Sequence, residues 1–204
     1  MSDHYFSAEP AGPERRRTVG VELAGRRVEV ETAGGVFSPD RVDVGTRVLL
    51  HDAPSPPPTG TFLDLGCGWG PIALSLALRS PAAHVYAVDV NDRSLRLTRH
   101  NAAALGVGDR ITTATPEAVP ADVTFDLIWS NPPIRVGKDV LHGMLETWLP
   151  RLAPSGVAHL VVQKNLGSES LQRWIRSHEG VLGDLECDRV GQARGFRVLE
   201  VRWR

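Results

Sequence analysis

From Thr61 onward the chain alternates short apolar runs with amphipathic ones, and this alternation restricts its folding more than any other feature. TFLDL, HVYAVDV, RITTAT, FDLIWS and VAHLVVQK are short and rich in apolar and β-branched residues, which predicts five strands. GPIALSLALRS, NDRSLRLTRHNAAALG, KDVLHGMLETWLPRLAPSG and SESLQRWIRSHEG read as helices between and after them. Pro71 stands near the start of the first helix, where a missing N–H costs least. Asn91 or Asp92 can cap the second and Gly106 can close it, while Pro154 to Gly156 is expected to end the third. LECDRVGQARGFRVLEVRW reads as a final antiparallel pair. Strands alternating with helices predict an α/β fold, mostly parallel, with its sheet covered on both faces.

The first third of the chain is different. RTVGVELAGRRVEVET shows two β-rich runs around AGR, a predicted hairpin, followed by a turn at Ser38-Pro39-Asp40 and a short helix through Val48 to Leu50. APSPPPTG, Ala53 to Gly60, favours an extended path with little core-forming power. The expected boundaries are a small β-rich N-terminal cap over 1–53, a proline-rich linker over 54–60 and the main domain over 61–204. A chain of 204 residues is long enough for one full core. A formal net charge of −1 supplies no strong field toward nucleic acid or membrane, although a local basic patch would suffice for RNA. Cys67 and Cys187 are too few and too far apart for a disulfide framework or a zinc site, so no metal is expected. The start, MSDHYFSAEP, lacks the basic and apolar regions of a signal peptide, and no apolar run reaches the ~20 residues that span a bilayer. A cytoplasmic location is therefore expected.

Chemistry concentrates at two places. The first predicted strand runs into LDLGCGWG, where Gly66, Gly68 and Gly70 allow a tight turn and close approach of backbone to a ligand. A dinucleotide fingerprint would place its third glycine one residue later, and here an acid, Asp64, precedes the first. Asp89 ends the next strand about twenty residues on, where an acid can accept from both hydroxyls of a ribose. The fourth strand, FDLIWS, is stopped by Asn131-Pro132-Pro133, since proline cannot donate to a ladder. That leaves a polar amide at the strand's carboxyl edge, where open α/β folds place their ligands.

DLGCGWG, AVDVN and SNPPIRVGK together resemble class I S-adenosylmethionine-dependent methyltransferases. Within that class the chain resembles the methyltransferase small domain of the guanine-N2 methyltransferases of small-subunit (16S) ribosomal RNA. HYFS, GVFSPDRVDVGTRVLL, VVQKNLGSESL and RGFRVL extend the resemblance over almost the whole chain. It implies a Rossmann-like sheet with 61–204 as the catalytic domain, S-adenosylmethionine as cofactor, and ribosomal RNA or the small ribosomal subunit as partner. It further implies that Asp64, Gly66, Cys67, Gly68, Gly70, Asp89, Val90 and Asn91 lie at the cofactor and that Asn131, Pro132, Pro133 and Ile134 form the catalytic motif. Two departures stand out. The best-known members carry a duplicated domain, and Ile134 occupies a position where many relatives have an aromatic, so stacking of the target base falls to another residue such as Phe37.

The motif's chemistry follows from its atoms. An exocyclic amine on a base is a weak nucleophile because its lone pair is delocalised. The Asn131 amide oxygen can accept one of its hydrogens and the Pro132 carbonyl the other, while Pro133 stiffens the loop. Arg135, Lys138, Gln163 and Lys164 are candidate substrate contacts, Arg135 and Lys138 for phosphates. His142 and the Arg15-Arg16-Arg17 run are expected at the solvated surface, and Trp129 in the core. The alternatives are methylation of a protein glutamine amide, methylation of adenine N6, and a non-catalytic RNA-binding or assembly domain. A β-rich cap rather than a helical N-terminal domain disfavours the first, Ile134 weakens the second, and the intact Asn131-Pro132-Pro133 disfavours the third.

Overall fold

A computed structural model describes residues 14–204, apart from the side chains of Arg135 and Glu179. The HYFS segment lies outside the described residues. Seven strands are hydrogen-bonded in the order β5-β4-β3-β6-β7-β9-β8, and β1 and β2 form a separate ladder. The sheet is mostly parallel with one antiparallel end, a Rossmann-like arrangement. By their internal contacts the described residues group into two compact units, 14–43 with Pro56–Ala121, and Val44–Ser55 with Asp122–Arg204.

The first unit opens with β1 (Arg16–Leu23) and β2 (Arg26–Ala33), paired antiparallel from Arg16↔Ala33 to Leu23↔Arg26. Their two-residue turn has positive φ at both Ala24 (50°) and Gly25 (73°), the twist that suits a hairpin. β3 (Thr59–Leu65), β4 (Ala82–Val88) and β5 (Ile111–Ala114) follow as parallel neighbours. β3 starts at Thr59, so the last residues of the proline-rich stretch are already strand. Between these strands run α2 (Pro71–Arg79) and α3 (Asp92–Ala104). Pro71 is at the first helical position of α2, and the Asn91 side chain accepts from the N–H groups of Arg93 and Ser94 to cap α3.

The second unit holds α1 (Val44–Asp52), β6 (Phe125–Ser130), α4 (Lys138–Trp148), β7 (Leu152–Gln163), α5 (Ser168–Ser177), α6 (Glu179–Leu182), β8 (Leu185–Ala193) and β9 (Phe196–Trp203). β6 and β7 are parallel, and β7, β9 and β8 are antiparallel. The expected C-terminal pair is therefore present, turning at Arg194 and Gly195, both at positive φ. The helix at Val48–Leu50 is longer than expected, nine residues, and it lies against β7, β8 and β9. Gly191 permits this packing, because a Cβ there would come within 3.0 Å of Asp52 Cβ.

One expected boundary moves. The helix beginning at Lys138 ends at Trp148, not at Pro154. Pro150 has no N–H to donate to the carbonyl four residues back, so although Leu149 keeps helical geometry (φ −64°, ψ −38°) the α ladder ends, and a single 3₁₀ turn follows over Leu149–Arg151. Pro154 to Gly156 are already in β7. Gly156 sits where backbones approach closely: any Cβ there would collide with the carbonyl oxygen of Phe125 and with Ala153. The register of β6 on β7 shifts at the same point, between Phe125 and Leu127. Among the described residues, no helix is long and apolar enough to cross a membrane, and no group of three His, Cys, Asp or Glu could hold a metal ion.

Candidate active site

The glycine loop leaves β3 at Leu65 and is held by backbone bonds: the N–H groups of Gly66 and Cys67 both donate to Val88 O at the end of β4, at 2.8 and 3.0 Å. Gly66 (φ 81°), Gly68 (57°) and Gly70 (96°) all take left-handed conformations that disfavour any side chain. Their surroundings differ. A Cβ on Gly66 or Gly68 would point into open space, which is the property of a backbone cradle. A Cβ on Gly70 would stand 2.9 Å from Thr98, so this third glycine serves the close packing of α2 and α3. The loop is fixed from α3 as well, since Thr98 Oγ1 donates to Gly68 O at 2.9 Å and Asn101 Nδ2 donates to Trp69 O at 3.0 Å.

Asp89 locks the loop to the end of β4. Its Oδ2 accepts from Gly68 N–H and its Oδ1 from Asn91 N–H, both at 2.9 Å. Burial raises its pKa, and three backbone N–H groups, those of Asn91, Gly68 and Val90, work against that rise. Val90 beside it is exposed, an apolar surface next to a carboxylate. Asn91 is buried, and its side chain is engaged within the protein: Oδ1 caps α3 and Nδ2 donates to Gly35 O at 2.9 Å. Arg93 Nη1 donates to Gly34 O at 2.6 Å, and Trp69 Nε1 to Ser38 O at 3.1 Å. These bonds tie residues 34–38 beside the glycine loop, with Phe37 partly exposed among them.

Asp64 is fully buried beneath the loop. Its Oδ2 accepts from Ala73 N–H at 2.8 Å in the first turn of α2, while Oδ1 is buried with no hydrogen-bond partner among the described residues. Burial, reinforced by the charge of Asp89 and opposed by the Ala73 N–H, pushes its pKa up to about 8. An unfolded aspartate titrates near 3.9, so the folded chain holds a proton that the unfolded chain has released. Asp64 therefore favours the folded state below the unfolded value, and that contribution is lost as pH rises from about 4 to about 8. Asp64→Asn, which mimics the protonated acid, should lack this loss. Without ligand, its melting temperature relative to wild type should climb between pH 4 and pH 8, exceeding wild type by more than ~4 °C at the upper end. A difference that stays flat with pH would refute the raised pKa. Cys67 is buried, and burial raises its pKa well above the ordinary thiol value, so its sulfur stays a neutral thiol.

In the second unit, β6 delivers Asn131 to its carboxyl end. Pro132 O accepts from Ile134 N–H at 2.9 Å, with Pro133 between them at φ −76°, ψ 74°. This is an inverse γ-turn, for which the proline ring presets φ. Asn131 Nδ2 donates to Thr46 Oγ1 in α1 at 3.1 Å. The strand itself is braced two residues earlier. Trp129 Nε1 donates to His159 Nδ1 at 3.0 Å, and His159 Nε2 lies 3.0 Å from Glu200 Oε2. These three residues are direct partners across β6, β7 and β9. Because Nδ1 must accept from the indole, the proton sits on Nε2 and points at Glu200. Burial lowers the His159 pKa against the raising effect of Glu200, which favours this neutral tautomer.

Of the other candidates, Lys138 is exposed at the start of α4, Gln163 is half-buried at the end of β7, and Lys164 is exposed just after it. The side chain of Arg135 lies outside the described residues. His142 stacks on Trp174, with ring centroids 3.7 Å apart and planes 7° from parallel. Arg16 pairs with Glu14 and Glu31, and Arg17 with Asp40. Trp129 is fully buried, as expected of a core residue.

A glycine cradle followed by an acid at the next strand end, on a Rossmann-like sheet, defines a class of nucleotide-cofactor proteins. Residues 27–200 match the family model of the methyltransferase small domain, and the chain belongs to that family. It is 36% identical to an uncharacterised Bacillus subtilis protein, YbxB, over 204 residues and 99% of both chains. It is 32% identical to ribosomal RNA small subunit methyltransferase C of Pseudomonas entomophila, over 96% of this chain but 57% of that one. Among solved structures it is similar to a T. thermophilus 16S rRNA N2 methyltransferase (RsmC) in complex with AdoMet and guanosine, with a TM-score of 0.74, 25% identity, and coverage of 94% of this chain and 52% of that one. The chain thus spans about half the length of these named methyltransferases.

Proposed function

We propose that this methyltransferase uses S-adenosylmethionine to methylate the exocyclic N2 amine of a guanine in 16S ribosomal RNA. The observation that carries the reading is the orientation of the Asn131 amide, whose nitrogen is turned to Thr46, so that its oxygen forms the opposite end. The likeness to the T. thermophilus enzyme, whose structure holds AdoMet and guanosine, supports both the cofactor and the base.

The residues of the first unit fit that cofactor. Gly66 and Gly68 present backbone with open space where a Cβ would project. Asp89 is a charge-bearing acceptor suited to ribose hydroxyls, and the exposed face of Val90 suits an apolar ring edge. The partnerless Oδ1 of Asp64 is an acceptor placed beneath the same loop, where a cationic ligand would lower the raised pKa. When bound, the cofactor's sulfonium supplies an electrophilic methyl group.

The chain's own part is to aim the amine. Asn131 Oδ1 accepts one N–H of the guanine amine. Pro132 O accepts the other through a second lone pair beside its bond from Ile134 N–H. Two acceptors at fixed angles hold the nitrogen lone pair along one line and stabilise the positive charge that grows on it. No strong base is required beforehand, because the amine proton becomes more acidic after transfer. Ile134 supplies apolar contact rather than an aromatic stack, with Phe37 as the aromatic candidate. Lys138, Gln163 and Lys164 are the candidate contacts for the rest of the RNA.

The test is tritium transfer from labelled cofactor to 16S ribosomal RNA and small subunits of a strain lacking this enzyme, followed by nucleoside analysis. The expected product is N2-methylguanosine. Label in N6-methyladenosine or in protein would overturn the guanine assignment, and no transfer to any acceptor would favour a binding role.

A further inference from the structure

Resting on the catalytic reading of Asn131, we propose that Thr46 is a positioning residue that sets which end of the Asn131 amide meets the substrate. An asparagine amide has two ends of similar shape and opposite polarity, an oxygen that accepts and a nitrogen that donates twice. Only one rotamer is useful for holding an amine, because a donor presented to a donor repels it. Nothing in the Asn-Pro-Pro sequence chooses between the two. The choice is made 85 residues earlier in the chain, where Thr46 Oγ1 accepts from Asn131 Nδ2 at 3.1 Å.

The site of this contact is rigid. Thr46 is only 3% exposed and stands in the first turn of α1, whose Gly45, Val48 and Leu49 are buried with it. The far end of α1 is seated where Gly191 has no side chain, close to Asp52. A hydroxyl on a packed helix is a fixed acceptor for the amide nitrogen. The β-branched side chain adds stiffness, since Thr has restricted χ1 freedom. Asn131 is therefore held from two directions, by the γ-turn of the following prolines and by the α1 hydroxyl.

Thr46→Val removes the hydroxyl with little change of shape, and Thr46→Ser keeps it. Single-turnover methyl transfer should fall about tenfold to a hundredfold in Thr46→Val, the scale on which small misplacements act. KM for RNA and affinity for S-adenosylmethionine should stay within a few-fold of wild type. Thr46→Ser should restore most of the rate. The decisive arm is the double variant. In an Asn131→Ala background the hydroxyl has no amide left to orient, so Thr46→Val should cause no further loss. The same loss in both backgrounds, or an equal loss in the serine variant, would show a packing role and overturn the proposal. Should Asn131→Ala itself transfer methyl at the wild-type rate, the catalytic reading of the motif fails. If Asn131→Ala is impaired while Thr46→Val is not, only the positioning role fails.

Discussion

Asp89→Ala is expected to weaken S-adenosylmethionine binding by on the order of 10²–10⁴ while leaving a folded chain. Two hydroxyl donors to a carboxylate are worth about 1.5–3 kcal/mol each, which gives that range of affinity. The structure adds a second reason for the loss. The same carboxylate accepts from Gly68 and Asn91 N–H, so its removal also takes away one of the ties of the glycine loop to the end of β4, leaving the backbone bonds to Val88 O. Some thermal stability should be lost with it, and Asp89→Asn, which keeps one acceptor oxygen, should sit between alanine and wild type. The pH dependence separates the two acceptor roles. Burial raises the pKa of Asp89. Ribose hydroxyls would bind its ionised form, so wild-type affinity should fall as pH is lowered toward that raised value. Asp89→Asn should show no such fall from this group. Calorimetry on folded protein across pH checks both, and unchanged affinity in a folded Asp89→Ala variant would refute the role.

Much of this unit is legible in sequence because its determinants are local. Gly66, Gly68 and Gly70 announce themselves by type and spacing, and all three take left-handed backbone. The strand–helix alternation depends on residues within one turn or one strand of each other. What distinguishes the glycines is not local. Gly70 is required by Thr98 on another helix, and only packing reveals that Gly66 and Gly68 face open space instead. Asn91 is ambiguous for a similar reason, since a polar residue between a strand and a helix suits either a ligand or a cap. In the folded chain its side chain caps α3 and bonds to Gly35.

Boundaries fail where one breaker stands close to another. Pro154 and Gly156 look like the stop of a helix, but Pro150 acts first, and Gly156 instead accommodates the close approach of β7 to Phe125. Beyond the two prolines that follow it, the supports of Asn131 carry no sequence signal. Thr46 lies far away in the chain, and the Trp129–His159–Glu200 series exists only because strand register aligns residues from three segments. A single sequence points to a candidate residue for the chemistry more readily than to what holds that residue still.

Asn131→Ala is expected to keep cofactor affinity within a few-fold and to lower turnover by on the order of 10²–10³, the usual loss for one oriented group that stabilises the transition state. The amide interacts with charge that appears only as the methyl moves, so its removal should act on kcat more than on KM. Its neighbour Pro132 O keeps its γ-turn partner, so the loop should hold its shape in the variant. Asn131→Asp is the sharper comparison. A carboxylate keeps an acceptor and adds attraction for the growing cation, but it cannot donate to Thr46 Oγ1 as the amide nitrogen does. The hydroxyl of Thr46 can rotate to donate instead, at the cost of whatever bond it makes now. Activity above that of alanine is therefore expected, short of wild type. Substrate form supplies a further constraint. A guanine must leave its stack to reach a loop at a strand edge, which costs a few kcal/mol in a paired helix. Transfer should then favour a guanine in a loop, or one presented on the assembled subunit, over the same base in a plain duplex. Single-turnover assays of wild type and both variants on each substrate decide the matter. If Asn131→Ala runs at the wild-type rate, the Asn-Pro-Pro segment serves only to end a strand.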